Sequence, residues 1–147
     1  KNEGYNYRID ELRSNLGYNQ LKRIRKINLL RKKASDYYYQ KLKNIEGIAF
    51  QNISKNNQSA HHLYVIRIKE NFGINRNNIY KKLLKKGIQT SVHYKPLHMF
   101  SLFKNYKNKE LQNSKKLFDE ILSLPLYTGI TKKHQDLVIK ELISTKF

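Results

Sequence analysis

HHLYVIRIK, residues 61–69, is the stretch on which the fold turns. It is rich in β-branched and aromatic residues with little polar interruption, the pattern of a strand set inside a sheet. His61 and His62 are neighbours in that strand, so they point to opposite faces and do not share an ion; one of them reads as a packing histidine. Toward the N-terminus, SKNNQS at 54–59 is a loop by composition, Ile48–Phe50 reads as a short strand, and Gly47 stops a preceding helix. From about Ile9 to Leu42, Leu12, Leu16, Ile24, Ile27, Leu30, Ala34 and Tyr37 recur at steps of three or four with cations largely elsewhere, which predicts one long helix. Gly17 inside it marks a bend or a close approach of another backbone, or is merely tolerated at about 1 kcal/mol relative to alanine.

Toward the C-terminus, Asn75 is placed to cap a helix carrying Ile79, Tyr80, Leu83 and Leu84, and Gly87 sits where a left-handed helix end is wanted. Ile88, Thr90 and Val92 alternate as a strand. A further helix is predicted from about Asn113 to Leu122, broken by SLPLY, and Thr131 caps a last helix with Leu137, Val138, Leu142 and Ile143. Few strands with helices between them predict an α/β or α+β domain in which a small sheet packs under helices. No internal repeat and no linker divides the chain.

At 147 residues the chain fits one domain able to bury its own core. It has no Cys, which excludes disulfides and thiolate metal sites and makes an enzyme of the reducing cytoplasm the expectation. No apolar run approaches the roughly 20 residues of a membrane span, and the start, KNEGYNYRID, does not read as a secretion signal. Lys+Arg number 30 against 11 Asp+Glu, a formal charge of +19. Two readings fit that charge: a surface for nucleic acid or another polyanion, or coding bias, since Lys greatly outnumbers Arg and Asn, Ile and Tyr are also abundant.

The motifs narrow the chemistry. SVHYKPLHMF, residues 91–100, places His93, Tyr94 and His98 around Pro96, a spacing that cannot put both histidines on one helical face and brings no carboxylate for a metal. There is no Gly-x-Ser-x-Gly elbow and no glycine-rich phosphate loop. GYNYR, residues 4–8, sets a side-chain amide and a guanidinium just before the long helix, where amide and helix N-terminus together suit an anion. Alone it reads better as a turn feeding a helix.

Together and in order, Gly4-Tyr5-Asn6-Tyr7-Arg8, Asp10-Glu11-Leu12, Leu16-Gly17 and Gln20-Leu21, then His62 to Arg67, then Val92-His93-Tyr94 with Pro96-Leu97-His98, and Leu122 to Leu126 resemble the C-terminal part of the sugar-nucleotide aminotransferases of the DegT/DnrJ/StrS family. The resemblance covers nearly the whole chain. It implies the small C-terminal domain of the aspartate-aminotransferase type of fold: a long connecting helix at about 9–42 and a small, mostly antiparallel sheet covered by helices. It implies pyridoxal phosphate as cofactor, a homodimer with a composite active site, a keto-sugar nucleotide as substrate and an amino acid such as glutamate as donor. Asn6, with Arg8 as companion, would reach the cofactor phosphate of the neighbouring subunit, and His93, Tyr94 and His98 would contact substrate. The Schiff-base lysine and the aspartate of the pyridine nitrogen belong to a large domain that would precede Lys1, so residues 1–147 are expected to be the small domain of a longer enzyme and not to transaminate alone. His61 stands where the family often has tryptophan, Ile9 where it often has methionine, and Ser14 and Asn15 where small alanines are common. A basic nucleic-acid module and a non-catalytic structural homologue are the alternatives.

Overall fold

The computed structural model describes residues 4–106 and 111–146. Its elements are α1 (Glu11–Leu42), β1 (Ile48–Phe50), β2 (Tyr64–Ile68), α2 (Arg76–Lys85), α3 (Gln112–Glu120), β3 (Ile121–Leu124) and α4 (Lys132–Ser144), with short 3-10 turns at Glu70–Phe72, Leu97–Met99 and Ser101–Tyr106. The strands form one antiparallel sheet in the order β1-β2-β3. Ile66, at the middle of the sheet, faces Phe50 on one side and Leu122 on the other.

Local chemistry sets most helix ends. The Asn75 side chain accepts the Asn78 N–H at 3.0 Å, and Thr131 Oγ1 accepts the His134 N–H at 3.2 Å, the two caps the sequence predicts. Gly87 takes the left-handed φ of +74° after α2, and the Ile88 N–H returns to the Leu83 carbonyl at 2.9 Å.

Along β2, Tyr64, Ile66 and Ile68 are buried while Val65 and Arg67 on the other face are half-buried. The buried face meets Tyr38 and Leu42 of α1, Ile79 and Leu83 of α2, and Val138 and Leu142 of α4, which with Phe72 and Leu122 make the core. Tyr38 stacks on Tyr64 with ring centroids 5.0 Å apart and donates its hydroxyl to the Pro125 carbonyl at 3.1 Å. α1 is tied to α4 by Tyr37 Oη donating to Asp136 Oδ1 at 2.6 Å and by buried Gln135, whose Nε2 donates to the Ala34 carbonyl at 2.8 Å.

Four expectations change. The strand begins at Tyr64, not His61: His61 has a left-handed φ of +48°, so the two histidines lie in a bent approach and the opposite-face argument does not apply to them. Ile88 to Val92 is not a strand. Ile88 and Thr90 are buried and Gln89 exposed, so the alternation is that of an extended segment packed on the core, and only Ser91 pairs with the sheet, through an isolated bridge to Ser123. The helix predicted to Leu122 stops at Glu120, and Ile121–Leu124, all four residues buried, becomes β3; a short apolar run carries no period that separates a buried strand from a helix end. Finally, the apolar series of α1 runs the whole helix, yet Leu12 is 84% and Leu16 62% exposed, and full burial begins only at Ala34. Nothing lies within 4 Å of a Cβ built on Gly17, so no other part of the described chain approaches it.

The face of the sheet that bears Val65 and Arg67 carries an ion-pair triad. Glu120 Oε2 accepts from Arg67 Nη2 at 2.6 Å and Lys69 Nζ at 3.1 Å. Burial alone would raise the Glu120 carboxyl; hydrogen bonds from Lys69 and Arg67, with their charges, outweigh it and hold it below the ordinary carboxylate range. A depressed folded-state pKa means that this stabilisation is complete above the unfolded value and is lost as pH falls through the folded one. Glu120→Gln is therefore expected to lower stability at neutral pH by about 1–2 kcal/mol, the figure discounted because both cations are a third exposed. In urea unfolding, the gap between wild type and variant should close on acidification below about pH 4.

Candidate functional site

Residues 4–10 are exposed and have no regular structure. Ahead of the Asp10 cap their contacts are local: the Tyr5 and Tyr7 rings lie 5.7 Å apart, and the Tyr7 N–H donates to the Tyr5 carbonyl at 3.1 Å. Asn6 and Arg8 are exposed, and neither side chain has a hydrogen-bond partner among the described residues. The helix N-terminus beside them is already occupied. Asp10 accepts the Arg13 N–H at 2.8 Å and pairs with its guanidinium at 2.9 Å, and Glu11 adds a second carboxylate in the first turn. Asp10 and Glu11 thus already serve the first turn of α1, and the exposed donors in the segment before it are the Asn6 amide and the Arg8 guanidinium. Asn15, a departure from the family pattern, sits exposed and accepts from Asn19 Nδ2 at 2.9 Å.

The second cluster is the Ser91–Phe100 loop. Ser91 and Ser123 exchange backbone hydrogen bonds at 3.1 and 2.8 Å, which sets the half-buried His93 ring over β3, its Nδ1 2.9 Å from Ser123 Oγ. Tyr94 is 73% exposed, and its ring meets His93 edge to face with centroids 4.8 Å apart. Pro96, extended at φ −60° and ψ 141°, leads the chain into the Leu97–Met99 turn, and Lys95 Nζ lies 4.9 Å from the Phe100 ring centroid. His98 is half-buried with no hydrogen-bond partner among the described residues.

The structure therefore brings His93 and Tyr94 together, leaves His98 outside that contact, and joins neither to Asn6 or Arg8 by a hydrogen bond or ring contact among the described residues. A cavity of about 120 Å³ beside His93 is lined also by His62, Gln89, Ser91 and Ser123. None of these four stood out in the sequence as a site residue, although Ser91 opens the SVHYKPLHMF stretch, His62 heads the motif at 62–67 and Ser123 lies inside LSLPL. A larger cleft of about 860 Å³ lies elsewhere, between Ile68–Arg76 and α3, and touches none of the candidate residues. Among the described residues no three His, Asp or Glu are grouped as metal ligands, and no helix is long and apolar enough to cross a membrane.

A model of the DegT/DnrJ/EryC1/StrS aminotransferase family matches residues 1–143. The chain is 30% identical to the UDP-4-amino-4,6-dideoxy-N-acetyl-beta-L-altrosamine transaminase of Campylobacter jejuni over 142 residues, 96% of this chain and 38% of that one. Among solved structures it is similar to PseC of Helicobacter pylori, an aminotransferase involved in pseudoaminic acid biosynthesis, at 25% identity and TM-score 0.86 over 99% of this chain and 39% of that one. It is also similar to Spr1654 of Streptococcus pneumoniae in its PLP form, at 28% identity and TM-score 0.77 over 89% and 34%. The chain spans just over a third of the length of these proteins.

Proposed function

The chain belongs to the DegT/DnrJ/EryC1/StrS aminotransferase family, and from that premise we propose that it is the small, C-terminal domain of a pyridoxal-phosphate enzyme. Its reaction moves an amino group from an amino acid, glutamate in the first instance, to a keto-sugar nucleotide in cytoplasmic amino-sugar synthesis for cell-surface polysaccharide. The observation that carries this reading is the family match over residues 1–143.

The residues present fit the cofactor's phosphate, since Asn6 and Arg8 are exposed donors with no competing partner among the described residues. The bound cofactor supplies the electron sink for amino transfer. In a homodimer, the Asn6 amide and Arg8 guanidinium of one subunit would hold the phosphate in the neighbouring subunit, a charge-assisted pairing. His93 and Tyr94, with His98 further along the loop, line the lip over the sugar nucleotide and orient it, so this chain contributes anion binding and alignment. A nucleic-acid role is not favoured. The family match runs over residues 1–143, and the tyrosine cluster at 37–39 serves the fold: Tyr37 is bonded to Asp136, Tyr38 is fully buried and Tyr39 packs edge-on against Phe50.

The test is amino transfer by the complete dimer, read as 2-oxoglutarate released from glutamate in the presence of a keto-sugar nucleotide. Asn6→Ala is expected to weaken cofactor retention by roughly 10- to 100-fold, the worth of one hydrogen bond to a charged group. His93→Ala should raise KM for the sugar nucleotide by about 10-fold and leave cofactor retention unchanged. Unaltered retention in the first variant together with unaltered KM in the second would defeat the assignment of both clusters.

A further inference from the structure

We infer that Ser123 is a positioning residue that fixes the proton of His93 on Nε2, making the imidazole a hydrogen-bond donor toward an oxygen of the substrate; this rests on the reading of His93 as a substrate contact. Ser123 is 4% exposed and sits in β3, opposite Val65 of the central strand. It holds the loop in two ways. Its backbone bonds Ser91 in both directions, and its Oγ lies 2.9 Å from His93 Nδ1. The backbone bridge fixes where the loop crosses the sheet edge, two residues before the imidazole.

The direction of the side-chain bond follows from hydrogen-bond bookkeeping. A serine hydroxyl has one proton to donate, and a neutral imidazole has one nitrogen that donates and one that accepts. Among the described residues the Ser123 hydroxyl has no acceptor other than His93 Nδ1. Were Nδ1 protonated, it would donate to Ser123 Oγ and leave the hydroxyl proton buried without a partner, the more costly arrangement. With Ser123 donating, Nδ1 accepts and the ring proton stays on Nε2, which has no partner among the described residues. Tyr94, edge to face at 4.8 Å between centroids, packs against the same ring.

A neutral donor of this kind suits the oxygens that a keto-sugar nucleotide carries in number: diphosphate, hydroxyl and carbonyl. It does not act as a base toward them. Ser123 itself touches no reacting atom in this scheme; it acts through His93.

Two measurements test this separately. Two-bond nitrogen–proton correlation spectra of the chain should show His93 as the Nε2–H tautomer in the wild type and as a mixture in Ser123→Ala. An Nδ1–H tautomer in the wild type, which needs no variant to fold, would overturn the inference, as would a Ser123→Ala spectrum identical to wild type. In the complete dimer, Ser123→Ala should raise KM for the sugar nucleotide by about 5- to 10-fold with a smaller change in kcat, and Ser123→Thr, which keeps the hydroxyl, should recover most of it. If His93→Ala leaves KM unchanged while the tautomer still depends on Ser123, the substrate reading of His93 falls and the hold of Ser123 on the ring stands. If Ser123→Ala and Ser123→Thr lose the same activity, the hydroxyl is not what matters and the inference fails.

Discussion

Given pyridoxal phosphate, glutamate and a keto-sugar nucleotide, the 147-residue chain alone is expected to release no 2-oxoglutarate above the uncatalysed rate. Joined to the cofactor-bearing domain of a relative such as the Campylobacter jejuni transaminase, it is expected to gain a rate about 10⁶-fold or more higher. The reason is chemical. A lysine that forms a Schiff base must give up its proton near neutral pH, which a desolvated pocket or a nearby cation achieves. No described lysine is buried; Lys69, among the more enclosed, is already paired with Glu120. The groups this chain offers are exposed amide and guanidinium donors and a half-buried imidazole, which on the proposed reading would orient a reaction rather than carry it. Turnover by the chain alone would overturn this reading. Failure of the joined protein to act, with cofactor bound and both parts folded, would instead favour a non-catalytic role.

Gly47→Ala is expected to destabilise the fold by about 2–6 kcal/mol, the sum of roughly 1–3 kcal/mol of backbone strain and roughly 1–3 kcal/mol of overpacking. Gly47 holds a left-handed φ of +82°, and a Cβ built on it would lie 2.4 Å from both the Cα and the backbone nitrogen of Phe72. Neither atom can yield cheaply. Phe72 is fully buried, and its N–H is committed to the Lys69 carbonyl at 2.9 Å, while the Lys69 N–H is committed to the Gly47 carbonyl at 2.8 Å. Against a typical domain stability of about 5–15 kcal/mol, such a loss shifts a urea midpoint strongly. Gly129→Ala is the control: its nearest neighbour would be a Tyr127 ring carbon at 3.8 Å, and its φ is unexceptional, so its midpoint should scarcely move. Equal midpoints for wild type and Gly47→Ala would show that the Glu46–Ile48 turn and Phe72 are not packed as described.

Much of this architecture was legible in the chain, and the parts that were not share a cause. Asn75 and Thr131 announced their helices because a cap bonds an N–H only three residues away, and a pattern that local survives any tertiary setting. β2 announced itself through five residues of strong strand character. β3 did not, because ILSL follows directly on an amphipathic helix and is buried at every position, so that neither period-two nor helical spacing shows. Ile88 to Val92 misled in the opposite sense: alternation reported burial, and only Ser91 found a strand to pair with.

The candidate site divides in the same way. Asn6, Arg8, His93, Tyr94 and His98 stood out by residue type and motif, whereas Ser123 and His62, though inside motifs, and Gln89 became site candidates only through the cavity they share with His93. Ser123 lies 30 residues from the imidazole it meets, and no spacing rule connects positions that far apart. Nor could the helical pattern of α1 tell that its apolar stripe is buried against this chain only from Ala34 onward.

What the sequence determined by itself is whatever neighbours within a turn or a strand decide between them: helix ends, the identity of the central strand, and the ordered motifs that mark the family. What the tertiary structure alone decided is which apolar residues find a core, where β3 and Ser91 close the sheet, and which hydroxyl holds His93. Those outcomes depend on surfaces brought together from distant parts of the chain, and the free energy of burying them is settled only when both surfaces are present.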